Sequence, residues 1–174
     1  IWDNTYGYSY ATHFHLTWLR LADVYLMYAE AVAQGYASPA AKDNNYSKSA
    51  IEALDVIRQR AGIGKLADKY AASLDGFMNE LRRERAVELA FEGHRFNDLR
   101  RWLLLTEYPY NVKTKQEFDR ATVLDPKLNP KENKVLNFRE EVVVERNLSS
   151  KHYWFPFKTQ DVSIYPGFEQ NPGW

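Results

Sequence analysis

Along the first two-thirds of the chain, apolar positions recur with the period of a helix. From about Leu16 to Gln34, apolar and small residues fill most of the circumference, leaving Arg20, Asp23, Met27, Glu30 and Gln34 on one narrow stripe. This predicts a helix buried most of the way round. Ala22, Ala29 and Ala33 line one side of it, where small side chains let a neighbouring helix approach closely, and Gly35 is read as its end. A second helix is expected from Ser47 or Ser49 to about Ala61, because Ser49-x-x-Glu52 has the form of a capping box. Its apolar face is Ala50, Ile51, Ala53, Leu54, Ile57 and Ala61, with Arg58 at the margin and Gly62 and Gly64 as stop signals. A third helix is read from about Asp75 to Glu92, and after a break at Gly93 a shorter one from Phe96 to Leu105. Two helices joined by a short loop form the pair from which tetratricopeptide-type arrays are stacked, although no further copy of such a repeat is visible.

The third helix carries an anomaly. At roughly 100° per residue, Glu84, Arg85, Glu88 and Glu92 fall in the same sector as Leu74, Phe77, Met78 and Leu81. Carboxylates are thus aimed at the side that apolar residues bury. Glu80, Glu84, Glu88 and Glu92 also form an i,i+4 row of like charge, which is unfavourable by itself. The pattern makes sense if guanidinium groups neutralise the row, since an unpaired buried charge is costly. Arg82, Arg83, Arg85, Arg95, Arg100 and Arg101 lie close in sequence, and Asp98 joins the same charged run. On the first helix Asp23 and Glu30 are expected to meet arginines, with Arg58 and Arg85 as the assigned partners. The expected network is therefore Arg20, Asp23, Glu30, Arg58, Glu84, Arg85, Glu88, Glu92, Arg95 and Asp98, in a structural role.

Residues 106–134 are polar and interrupted by Pro109, Pro126 and Pro130, and are read as an excursion loop. Val142–Arg146 and His152–Phe155 are read as a candidate short β-hairpin, and the end of the chain as an extended, turn-rich tail whose Trp174 folds back on the helices. The expectation is a mainly α fold: one piece, with residues 15–105 as helical scaffold and 106–174 as a loop-rich tail packed on it.

Composition narrows the chemistry. Lys plus Arg and Asp plus Glu number 23 each, so nothing favours a polyanionic partner such as nucleic acid. Cysteine is absent, which excludes disulfides, thiol catalysis and thiolate zinc sites within this stretch. His13, His15, His94 and His152 are scattered, and no metal or cofactor is expected. No run approaches the roughly 20 apolar residues of a membrane span. No stretch reads as a signal peptide, and the start at Ile1 leads to the expectation of an excerpt or processed piece. Aromatic residues are abundant, with 12 Tyr, 9 Phe and 5 Trp. They serve cores and flat binding platforms alike. Trp2, Tyr6, Tyr8 and Tyr10, the tyrosines alternating along an extended segment, are the candidate ligand platform; packing against the helices is the competing role.

Five motifs in order carry a family resemblance. Arg20-Leu-Ala-Asp-Val-Tyr-Leu-Met-Tyr-Ala-Glu-Ala31 resembles the RxADVYLMYAEA helix of the SusD/RagB proteins, and Val56-Ile-Arg-Gln-Arg-Ala-Gly62 their next helix. Glu84–Trp102 is similar to the ERxxELAFEGHRFxDLRRW signature. His152-Tyr-Trp-Phe-Pro-Phe157 stands where members show an LxPIP-type run, and Gln170-Asn-Pro-Gly-Trp174 resembles a QNPGY terminus. Phe157 replaces the usual Ile-Pro step and Trp174 the common Tyr. The resemblance implies a surface-exposed outer-membrane lipoprotein that binds glycans, or sometimes peptides, as a lid on a SusC-type TonB-dependent transporter. It also implies that this chain is roughly the C-terminal third of a longer protein, with the lipid anchor and most sugar-contacting aromatics upstream. No enzymatic activity is expected. A glycosidase using Glu88 and Asp98 is the catalytic alternative, requiring an open cleft with the carboxyls about 5 to 9.5 Å apart; a helical adaptor for another protein is the structural one.

Overall fold

The computed structural model describes residues 18–120, Lys127 and 134–174. The fold is mainly α-helical with a small two-stranded antiparallel sheet. In chain order the elements are α1 (Leu21–Gly35), α2 (Ala50–Arg60), α3 (Asp68–Ala71), α4 (Leu74–Glu88), α5 (His94–Arg101), β1 (Val112–Arg120), β2 (Val135–Glu145), a 3-10 turn (Ser150–Tyr153) and α6 (Thr159–Ile164). They group into two compact units, Ile1–Glu92 and Gly93–Trp174.

In the first unit α1 packs against both α2 and α4. Leu26, Leu54, Phe77 and Leu81 are fully enclosed, and Ala29, Ala33, Ala50 and Ala53 between them bring the backbones close. The capping box forms: Ser49 Oγ accepts from the Glu52 amide at 3.2 Å, and Glu52 Oε2 accepts from the Ser49 amide at 2.8 Å. Past the end of α2, Gly62 has φ 70°, a left-handed conformation that costs glycine little, and its neighbour Ile63 donates back to the Arg58 carbonyl at 3.1 Å.

Several helical expectations change: the first helix starts at Leu21 rather than about Leu16, and the short helix after Gly93 spans His94–Arg101 rather than Phe96–Leu105. The third helix stops at Glu88 rather than Glu92, and Phe91 and Gly93 both take positive φ in the turn that follows. One reason is visible at its end: a guanidinium nitrogen of Arg20 donates to the Glu88 carbonyl, satisfying a group that another turn of helix would otherwise occupy. The first helix is also less enclosed than its pattern predicts. Leu21, Val24 and Met27 stand 68%, 41% and 44% exposed, because no element among the described residues covers that side.

In the second unit the candidate hairpin of Val142–Arg146 with His152–Phe155 does not form. β2 pairs instead with β1, inside the stretch read as a loop, and Ser150–Tyr153 curls into a 3-10 turn. The ribbon is held by charge across the strands: Lys115 faces Glu141 at 3.0 Å, and Arg139 pairs with Glu117. β2 is exposed along its whole length, Val135, Leu136, Phe138 and Val142–Val144 included, and its apolar residues run in clusters without the alternation that marks a half-buried strand. The tail also differs, adding the unpredicted helix α6. Trp174 packs not on helices but on the 3-10 turn, its indole N–H 3.0 Å from the Lys151 carbonyl and its ring 5.6 Å from that of His152.

The last two motifs turn out to be each other's partners. The Gln170 amide clamps the Phe157 backbone, accepting from its N–H at 2.7 Å and donating to its carbonyl at 3.0 Å. Asn171 Nδ2 donates to the Phe155 carbonyl at 2.6 Å. On the other side, Arg100 Nε donates to the Tyr153 carbonyl at 3.0 Å while its guanidinium lies 4.3 Å from the Phe155 ring centre.

Candidate functional site

The charged residues singled out in α1, α2 and α4 converge within the first unit. Asp23 on α1 and Arg85 on α4 meet in a buried pair, their side chains 6% and 5% exposed. One turn toward the start of α4, Arg83 grips Glu80 in a two-pronged contact, Nε to Oε2 at 2.9 Å and Nη2 to Oε1 at 2.6 Å, and reaches Glu84 at 2.8 Å. From α2, Arg58 donates to Glu84 and lies 3.4 Å from Glu80. At the end of α4, Glu88 sits between Arg20 at 2.6 Å and Arg60 at 2.5 Å, and Arg20 also holds Glu92, Nε to Oε2, at 2.8 Å. Three helices are therefore tied by carboxylate–guanidinium contacts that run through their packed faces. Glu30, half-buried on α1, is engaged as well.

Arg95 and Asp98 belong to the second unit. Arg95 lies 5.4 Å from the centre of the Tyr110 ring, and Asp98 is buried 2.9 Å from Arg101. Trp2, Tyr6, Tyr8 and Tyr10 lie outside the described residues. Sequence reasoning did not place Glu80, Arg60 and Arg83 in the network, although Glu80 belongs to the same i,i+4 row. It also passed over Asp55, buried on α2 between Leu54 and Ile57, whose carboxylate accepts from the Leu66 amide at 2.7 Å and fixes the chain leaving α2. An acidic residue within an apolar face was the available signal.

Electrostatics follow the geometry. The bond from Arg83 is the main influence holding the Glu80 carboxyl below its ordinary range, against the opposing pull of burial. Hydrogen bonds that Arg20 donates to Glu92 and Glu88 raise it above the usual guanidinium value. A general acid needs the opposite, a carboxyl pushed up toward neutral pH. These groups are set up as permanent charges holding helices together. Among the described residues no group of three His, Cys, Asp or Glu side chains is placed to hold a metal ion, and no helix is long and apolar enough to cross a membrane.

A helix pair with a third helix cross-tied to it, followed by a turn-rich region pinned by its own terminal residues, defines an α-helical scaffold. The profile of the SusD family matches residues 3–174, and the chain belongs to that family. Solved structures agree. A SusD-like protein (BF3747) from Bacteroides fragilis NCTC 9343 superposes with a TM-score of 0.67 at 26% identity, over 97% of this chain and 28% of its own. BT4246 does so with a TM-score of 0.60 at 28% identity, over 91% of this chain and 24% of its own. The selenomethionine form of BT4246 gives 0.58 at 30% identity over the same shares. The chain thus spans about a quarter of the length of these relatives. No curated protein matches it in sequence.

Proposed function

We propose that this chain is framework within a glycan-binding, SusD-like lipoprotein of the bacterial cell surface. In this reading the protein captures oligosaccharides and delivers them to a SusC-type TonB-dependent transporter in the outer membrane. The role of the described helices is to hold shape, with binding rather than catalysis as the activity. Carrying this reading is the commitment of the inward-facing acids: Asp23, Glu80, Glu84 and Glu88 are each engaged by at least one arginine, which leaves them poor candidates for turning over a substrate. The open side of α1 at Leu21, Val24 and Met27 suits a scaffold in which further helices stack.

The test is calorimetry of the intact protein against a panel of neutral oligosaccharides, with co-purification of the transporter as the second readout. Saturable sugar binding without release of reducing ends supports the reading. Binding of peptides in place of sugars would move the protein to the RagB-like branch of the same function. Reducing-sugar release that is lost in Glu88→Gln would replace the reading with a hydrolase.

A further inference from the structure

At the C-terminal end of α1 the chain forms a cavity of about 350 Å³ lined by Tyr28, Ala31, Val32, Gly35, Tyr36 and Tyr46. We propose that it is a saccharide subsite, taking the apolar face of a neutral sugar ring against the tyrosines. The proposal rests on the glycan-binding reading above and assigns a contact site to a stretch that reading treats as framework.

The walls are built rather than incidental. Tyr46 stands edge-on to both other rings, centroids 6.3 Å from Tyr28 and 6.1 Å from Tyr36, with planes inclined at 65° and 77°. Such rings make near-perpendicular walls, and their negative faces suit the electron-poor C–H bonds of a sugar. Two of the three are locked by their hydroxyls: Tyr28 donates to the Lys48 carbonyl at 2.6 Å, and Tyr36 to Asp43. Little side-chain freedom remains to be lost when a ligand binds. The floor is low because Ala31 and Gly35 carry almost no side chain, and nothing lies within 4 Å of where a Cβ on Gly35 would stand.

Asp43 stands outside the lining and braces the Tyr36 wall: it accepts from Tyr36 and from the Asn45 amide at 2.7 Å, and the Tyr46 amide and the Asn45 side chain bond it as well. The hydrogen bond from Tyr36 holds the Asp43 carboxyl below the usual carboxylate range, and the same bond pushes the Tyr36 phenol up to about 12. Among the described residues no lysine or arginine lines the cavity, which disfavours a phosphate or carboxylate ligand. The volume lies near the lower end of small-ligand sites, roughly 300–1,000 Å³.

Gly35→Leu is the sharpest probe. Its Cβ stands in open space with nothing within 4 Å, the branched end reaches into the cavity, and leucine is the better helix former, so folding should be kept. The experiment titrates the intact protein with fragments of α-glucan, β-glucan, mannan and xylan, and repeats the tightest in Gly35→Leu and Tyr46→Ala. Expected are an unchanged melting curve for Gly35→Leu, and a loss of affinity of about tenfold in Gly35→Leu and Tyr46→Ala, as when one stacked ring contact is removed. Should Tyr46→Ala not fold, Gly35→Leu alone decides. Wild-type affinity retained in Gly35→Leu overturns the subsite but leaves the glycan-binding reading standing. No binding of any fragment by the wild type overturns both. Tetramethylammonium binding that is lost in Gly35→Leu, with sugar binding intact, would make the site an ammonium cage and overturn the saccharide assignment.

Discussion

Replacing Arg85 by alanine isolates the buried clamp. The Asp23 and Arg85 side chains are 6% and 5% exposed and face each other across the α1–α4 contact, so neither is reached freely by water. Removing the guanidinium leaves a carboxylate walled in by the core around Leu26 and Leu81, and breaking a buried pair in this way costs about 3–5 kcal/mol. For a chain of this size that corresponds to roughly 6–20 °C in Tm, at about 2–4 °C per kcal/mol. Urea unfolding followed by far-ultraviolet circular dichroism measures the change as a lower midpoint at constant slope. The double variant Asp23→Leu with Arg85→Met provides the control. It strands neither member of the Asp23–Arg85 pair and is expected to recover most of the loss, because apolar replacements of similar volume for buried ion pairs are often neutral or stabilising. A loss below about 1 kcal/mol in Arg85→Ala would refute the reasoning, placing the pair in the range of solvated surface contacts.

The other predictions grade the same network. Glu88→Ala should cost less than Arg85→Ala, about 1–2 kcal/mol by urea unfolding, because its partners Arg20 and Arg60 are 27% and 59% exposed and rehydrate when released. Glu80 governs part of the acid limb. Its folded-state carboxyl is depressed, so its contribution is complete above the ordinary glutamate range near about 4.3 and is lost as pH falls through the lower folded value. Unfolding midpoints measured from pH 7 to pH 3 should therefore drop more steeply in wild type than in Glu80→Gln; equal slopes would show that Arg83 does not hold the carboxylate. Ser49→Ala removes the reciprocal cap of α2 and should cost about 1 kcal/mol, with amides of the first turn of α2 exchanging faster than those near Ile57.

Residues with a strong local rule were legible before any coordinates. Ser49-x-x-Glu52 announced the start of α2 because capping is a four-residue event, and Phe77, Met78 and Leu81 marked the buried side of α4 by spacing alone. Acids in that sector required arginines; of the two partners assigned to the acids of α1, Arg85 meets Asp23, whereas Arg58 engages Glu84 and Glu80. What stayed hidden depended on partners distant in sequence. β1 reads Val-Lys-Thr-Lys-Gln-Glu-Phe-Asp-Arg, a ribbon strand held by charges that are visible as a pattern only once Glu117 is set opposite Arg139. The end of α4 at Glu88 follows in part from Arg20 arriving at its carbonyl, and the tyrosine cavity needs Tyr46, a loop residue, folded back on Tyr28.

The central claim is that the inward acids of α4 are framework, not part of a ligand or reaction site. Calorimetry with the tightest oligosaccharide, comparing wild type with Glu84→Gln and Glu88→Gln and normalised to folded protein, tests it most directly. The account predicts affinities within about twofold of wild type, a difference far below the 1.4 kcal/mol that marks tenfold. A loss of tenfold or more in protein that remains fully folded would contradict it.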